Sequence, residues 1–130
     1  MIPDYLTYLT KEDKANYLGV LSILLKRWVP DANHSEMLDE VRNEFRLGSF
    51  PVSSDNGFIS YFSNRTVRVK KVVLIEVAST FHSLGIQSHQ IKEFGHEIGL
   101  PQRESEVLTS WAEDYCEFLE TGYMFINSKY

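Results

Sequence analysis

Residues 18–47 read LGVLSILLKRWVPDANHSEMLDEVRNEFRL, and residues 71–100 read KVVLIEVASTFHSLGIQSHQIKEFGHEIGL. Shifted by 53 positions, the two stretches align without a gap. Val20 falls on Val73, Leu21 on Leu74, Leu24 on Val77, Leu25 on Ala78 and Trp28 on Phe81. Then Ser35 falls on Ser88, Leu38 on Ile91, Val41 on Phe94, Phe45 on Ile98 and Leu47 on Leu100. The matched positions are almost all apolar and recur at three- and four-residue spacing, which predicts amphipathic helices. A self-similar period of this length predicts a duplicated two-helix unit.

Working outward, Thr10-Lys11-Glu12-Asp13 predicts a helix start: the Thr hydroxyl can cap a free N–H, and the acids suit the positive end of the helix dipole. Pro30 predicts its stop near Trp28. Ser35 and Ser88 are the expected caps of the second helix of each copy, with Gly48 and Gly99 as the expected stops. Between the copies, Pro51 to Gly57 is rich in turn formers, and Phe58, Ile59, Tyr61 and Phe62 predict a short helix. Residues 3–9 predict one or two helical turns. A last helix is expected over residues 103–121, with Val107, Leu108, Trp111, Tyr115, Phe118 and Leu119 as its apolar stripe. Gly122 is expected to break it, leaving an aromatic tail from Tyr123 to Tyr130. The fold class is therefore all-α, six or seven helices in a duplicated helix-pair bundle, forming one domain over residues 1–130.

Composition narrows function by exclusion. Hydrophobic residues make up 43% and charged residues 24%, and the formal net charge is −5. That balance disfavours broad nucleic-acid binding, which needs a basic excess. The single Cys116 cannot form an intrachain disulfide. No apolar run approaches the roughly 18–20 residues that span a bilayer, and the first residues lack the pattern of a signal peptide. A cytoplasmic location is the expectation.

Residues able to carry chemistry are few. His82, His89 and His96 stand seven apart, about 10.5 Å along a helix, too far for two ligands of one ion at ~2 Å bonds. His89 and His96 are expected on a solvated face, opposite Ile91, Phe94 and Ile98. Glu93-Phe94-Gly95-His96 has the spacing of a di-iron half-site, but the first copy carries Glu40 and Asn43 at the equivalent positions. The turn after the first helix places Asp31, Asn33 and Glu36 close together, oxygen ligands able to hold a hard cation. Arg65, Arg68, Lys70 and Lys71 form a basic cluster that could meet an anion or an acidic partner. Glu113, Glu117 and Glu120 belong to an acidic last helix that could meet a partner of opposite charge. Cys116 lies among apolar neighbours, where thiols are inert. No Gly-rich phosphate loop and no Gly-x-Ser-x-Gly elbow occurs. The chain is not expected to be an enzyme, and no motif asks for a cofactor.

The stretch Tyr17-Leu18-Gly19-Val20-Leu21-Ser22-Ile23-Leu24-Leu25 followed by Ser35-Glu36-Met37-Leu38 resembles the tellurite-resistance TerB-like family. So does Val73-Leu74-Ile75-Glu76-Val77-Ala78 followed by Ser88-His89-Gln90-Ile91. The resemblance covers about residues 10–100. It implies an all-helical bundle whose helix pairs are joined by acidic Asp-Gly turns that bind metal. This chain departs from that pattern: Ala32 follows Asp31, and Leu84 precedes Gly85. The implied role is a small stress or defence protein acting through protein–protein interaction. An immunity protein or inhibitor of a toxin or nuclease is the alternative, and a metal-dependent enzyme using the Asp31 turn is a third. The expected partner is a protein, with self-association left open.

Overall fold

A computed structural model describes residues 5–31, 33–47 and 57–127. It is all-α. After a short 3-10 turn over Tyr5–Tyr8 come six helices: α1 (Lys11–Trp28), α2 (Ser35–Glu44), α3 (Phe58–Ser63), α4 (Val67–His82), α5 (Ser88–Glu97) and α6 (Gln102–Asn127). The chain divides into two compact units, residues 1–72 and 73–130, with the division falling inside α4. The expected stop at Gly48 and the turn formers of residues 51–56 lie outside the described residues.

In the first unit, α1 carries the core. Tyr17, Val20, Leu21, Leu24 and Leu25 of its predicted stripe are buried, Trp28 at its end is half-buried, and Leu18 is buried beside them. α1 packs on α2 and on α3. Tyr17 meets Phe45 just past the end of α2, with ring centroids 5.6 Å apart. Gly19 leaves room for the ring of Phe58: a Cβ there would lie 2.4 Å from it. The predicted helix over Phe58–Ser63 is present, with Phe58 and Phe62 buried. In the second unit, Val73, Leu74, Val77, Ala78 and Phe81 of α4 are wholly buried. So are Ile91 and Phe94 of α5, which packs along α6.

The two copies close their second helices in the same way. Phe45, Arg46 and Leu47 donate backbone N–H bonds to the carbonyls of Val41, Asn43 and Arg42. Ile98, Gly99 and Leu100 donate to Phe94, His96 and Gly95, the same atoms 53 positions on. Both ends adopt a left-handed residue, Arg46 at φ 56° and Gly99 at φ 85°, and both bury the leucine that follows. This is a Schellman closure with its hydrophobic contact.

Three expectations need correction. Ser35 and Ser88 are first helical residues rather than caps: the Asn33 carboxamide accepts from the Ser35 N–H at 3.0 Å, and Gln90 Oε1 accepts from the Gln87 N–H at 3.3 Å. The stripe of α2 is only half-buried at Leu38 and Val41, because α5 has α6 to pack along whereas the close helix neighbour of α2 is α1. Gly122 does not break α6, which runs on to Asn127. One interior glycine costs a helix only about 1 kcal/mol, too little by itself to end the 26-residue helix.

Arg46 offers a test of the duplicated closure. A left-handed non-glycine residue costs roughly 1–2 kcal/mol, and glycine returns part of that as unfolded-state entropy. Arg46→Gly should therefore stabilise the chain by about 0.5–1 kcal/mol in urea denaturation. Stability unchanged or lowered would show that the 46–47 closure is not formed in solution.

Candidate functional site

The most conspicuous feature of the second unit is the outer surface of α6. Half of the bulky residues that mark its stripe are turned out: Val107, Trp111 and Phe118 are exposed and Leu108, Tyr115 and Leu119 half-buried, while the buried residues of the helix are Ser105, Thr109 and Ala112. The reason is steric. α6 crosses α5 at Gly95, where a Cβ would lie 2.5 Å from Ser105 Oγ, so only small side chains fit the packed face. Trp111 and Tyr115 stack on the outside, centroids 5.5 Å apart and planes within 6°.

The packed face itself runs out along the helix. Ser105, Thr109, Ala112, Cys116, Leu119, Tyr123 and Ile126 follow each other at alternating four- and three-residue steps, a coiled-coil seam. The first three are buried and the next two half-buried. The last two turns are in the open: Phe118, Tyr123, Met124 and Ile126 are between 66% and 78% exposed. The expected aromatic tail is thus a helical end. The side chain of Phe125, and Tyr130, lie outside the described residues.

Charge is concentrated on the same helix. α6 holds six of the 18 acidic residues and one of the 13 basic ones, so it carries the whole formal net charge of −5. Glu106, Glu113, Glu117 and Glu120 form one row by helical spacing, beside the packed seam and on the side away from Trp111 and Phe118. Burial pushes the Cys116 thiol up, Glu120 and Glu113 add to this, and a hydrogen bond with Ser79 opposes it. A thiol so placed is a poor nucleophile at neutral pH.

The residues of the basic cluster have different partners. Arg65 is half-buried and paired with Asp13: its Nε donates to Asp13 Oδ1 at 2.8 Å and its Nη2 to Oδ2 at 3.0 Å. Tyr61 donates its hydroxyl to Oδ1 at 2.6 Å. The Thr10 N–H donates to Oδ2 at 2.9 Å, and Thr10 Oγ1 in return accepts the Asp13 N–H at 3.0 Å, completing a capping box. Asp13 is wholly buried. Burial alone would raise its carboxyl, but the bonds from Arg65, Tyr61 and Thr10 together hold it below the ordinary value of 3.8. Burial and the Asp13 charge push the Tyr61 hydroxyl up to about 12. A carboxylate this enclosed and fully bonded is a structural tie between α1 and the α3–α4 turn. Sequence reading placed Asp13 and Arg65 in separate roles, since nothing in spacing links residues 52 apart.

Arg68 lies over the Tyr8 ring, 5.4 Å from its centroid, a surface cation–π contact. Lys70 and Lys71 are half-buried. In the Asp31 turn, Asp31 and Glu36 are exposed, and Asn33 Oδ1 accepts from both the N–H and the hydroxyl of Ser35. His34 donates to the Val29 carbonyl at 2.6 Å and closes the turn. Among the described residues, no three His, Cys, Asp or Glu side chains converge in a way that could hold a metal ion. His89 and His96 are exposed on α5, as expected. No described helix is long and apolar enough to cross a membrane.

The Asp13 tie gives a prediction with a definite sign. Its folded-state value is depressed, so its stabilisation is present above the ordinary value of 3.8 and is lost as pH falls through the lower folded value. Asp13→Asn should cost about 2–4 kcal/mol at pH 7, allowing for the partial exposure of Arg65. It should also shallow the loss of stability below pH 3.8 seen in the parent chain. Equal acid sensitivity of the two proteins in thermal melts would contradict the tie.

No protein-family model matches this sequence, and no curated protein or solved structure matches it significantly.

Proposed function

We propose that this chain is a non-enzymatic interaction module that binds a basic, partly apolar segment of another protein along α6. The observation that carries this reading is the pairing, on one helix, of an outward aromatic stripe with the entire negative charge excess of the chain. Exposed aromatic residues are the usual anchors of protein interfaces, and a row of like charges beside the open end of the seam selects a partner of opposite sign.

Charge also chooses among occupants. A second copy laid on the same face would set one helix of net −5 against another, which costs several kcal/mol where like charges meet. A basic amphipathic helix faces no such penalty. It could continue the four–three seam through Tyr123 and Ile126 while its cations meet Glu113, Glu117 and Glu120. An inhibitor or immunity protein that neutralises a basic toxin or nuclease would use this surface directly. A TerB-like stress or defence role rests on the duplicated helix pairs alone.

The experiment is a fluorescence titration in a Trp28→Phe background, where Trp111 is the single indole. The probe is a synthetic amphipathic helix rich in Lys and Leu, and the control is the same peptide with Glu for Lys. The basic peptide should shift Trp111 emission saturably and the acidic one should not. Phe118→Glu should weaken binding at least about tenfold without lowering the melting temperature, because a buried aromatic anchor is worth on the order of 2 kcal/mol and the free side chain is exposed. Equal response to both peptides, or no effect of Phe118→Glu, would contradict the proposal.

A further inference from the structure

Three of the described glycines lie inside helices: Gly19 in α1, Gly95 in α5 and Gly122 in α6. Two of them are seats for another element. The ring of Phe58 lies where a side chain would stand at Gly19, and Ser105 does the same at Gly95. In both places a neighbouring element presses onto the helix because the side chain is missing. Gly122 has the same opening and no occupant: a Cβ there would meet nothing within 4 Å. Its backbone is not left-handed either. Nothing inside the chain therefore asks for glycine at 122, and alanine would make the better helix.

The opening has an apolar frame. Leu119, Gly122, Tyr123 and Ile126 stand at i, i+3, i+4 and i+7. That diamond is the hole that receives one side chain of a facing helix in a coiled coil. Leu119 is half-buried, and Tyr123 and Ile126 are exposed. Three walls of the hole are apolar and the fourth is absent, so it admits a large knob. The hole lies on the open end of the seam of α6. By helical position Gly122 is on one flank of that seam, and Glu113 and Glu120 are on the other. A helix that seats a side chain over Gly122 thus lays its opposite flank along two carboxylates, which calls for Lys or Arg there.

We propose that Gly122 is the seat for a bulky apolar side chain of the partner helix, a Leu, Met or Phe, in the way that Gly19 seats Phe58. The assignment rests on the reading of α6 as an interaction surface and names its anchor point. The occupant is an amphipathic helix of another protein, apolar at the hole and basic on the flank toward Glu113 and Glu120. A second copy of this chain brings the same carboxylates and is disfavoured by charge.

The test fills the seat. Gly122→Leu puts a branched side chain into the hole at a position with open space around it, and Leu is a far better helix former than Gly. Its melting temperature should equal or exceed that of the parent chain. Its affinity for the Lys–Leu helical peptide, read from the anisotropy of a dye on the peptide, should fall at least about tenfold, the scale of a lost interface anchor. Gly122→Ala should raise the melting temperature without tightening binding. Thr121→Leu adds the same bulk on the exposed far side of α6 and should bind within about twofold of the parent, as for a surface change outside the contact. If the parent binds and Gly122→Leu binds equally or more tightly, the seat is overturned while the wider reading of α6 stands. Equal weakening by Thr121→Leu would overturn it in the same way. A parent that does not bind the peptide would overturn both. A parent that dimerises in analytical ultracentrifugation, with the dimer lost in Gly122→Leu, would put a second copy in the seat and overturn the basic helix as its occupant.

Discussion

The second unit depends on one steric constraint, the close crossing of α5 and α6 at Gly95. With no side chain there, Ser105 packs against the α5 backbone. The price falls on α6, whose inward positions must stay small: Ser105, Thr109, Ala112 and then Cys116. A helix of 26 residues whose packed seam is small must put its bulky residues elsewhere. Val107, Trp111 and Phe118 accordingly face outward, and the seam turns large only at Leu119, Tyr123 and Ile126, where the helix is already emerging into solvent. The small packed seam and the outward aromatic residues both follow from this one approach.

The first unit is held by a polar tie. The buried Asp13 carboxylate caps its own helix and accepts from Tyr61 and Arg65. Around it the apolar face of α1 supplies the core, in contact with α2 and α3. A buried charge is tolerated because its lone pairs accept four hydrogen bonds from three residues, which fix α3 and the following turn against α1. The same tie engages the Arg65 guanidinium with Asp13, while Arg68 lies over Tyr8.

Helix positions were largely legible because apolar periodicity is a local property. The 53-residue repeat foretold the buried residues of α1 and α4, Val20 with Val73 and Leu21 with Leu74, and its last members even share a Schellman closure. What could not be read was set by contacts distant in sequence. The link between Asp13 and Arg65 has no signature in spacing. The face of α6 was misjudged because bulk normally marks the buried side, whereas here Gly95 reverses the rule. The acidity of the last helix was visible in the sequence, and His89 and His96 were correctly placed on the exposed side of α5, opposite Ile91 and Phe94.

Trp111, Phe118, Tyr123 and Met124 of α6 are free surface in the unbound chain. Hydroxyl-radical footprinting of the 130-residue chain, read residue by residue by mass spectrometry, measures this. Trp111, Phe118, Tyr123 and Met124 should be oxidised rapidly, while Tyr17, Phe62 and Phe94 should be protected. Protection of Phe118 and Met124 to the level of Phe94 would mean that α6 buries its aromatic face on its own chain, and the account of a partner surface would fail.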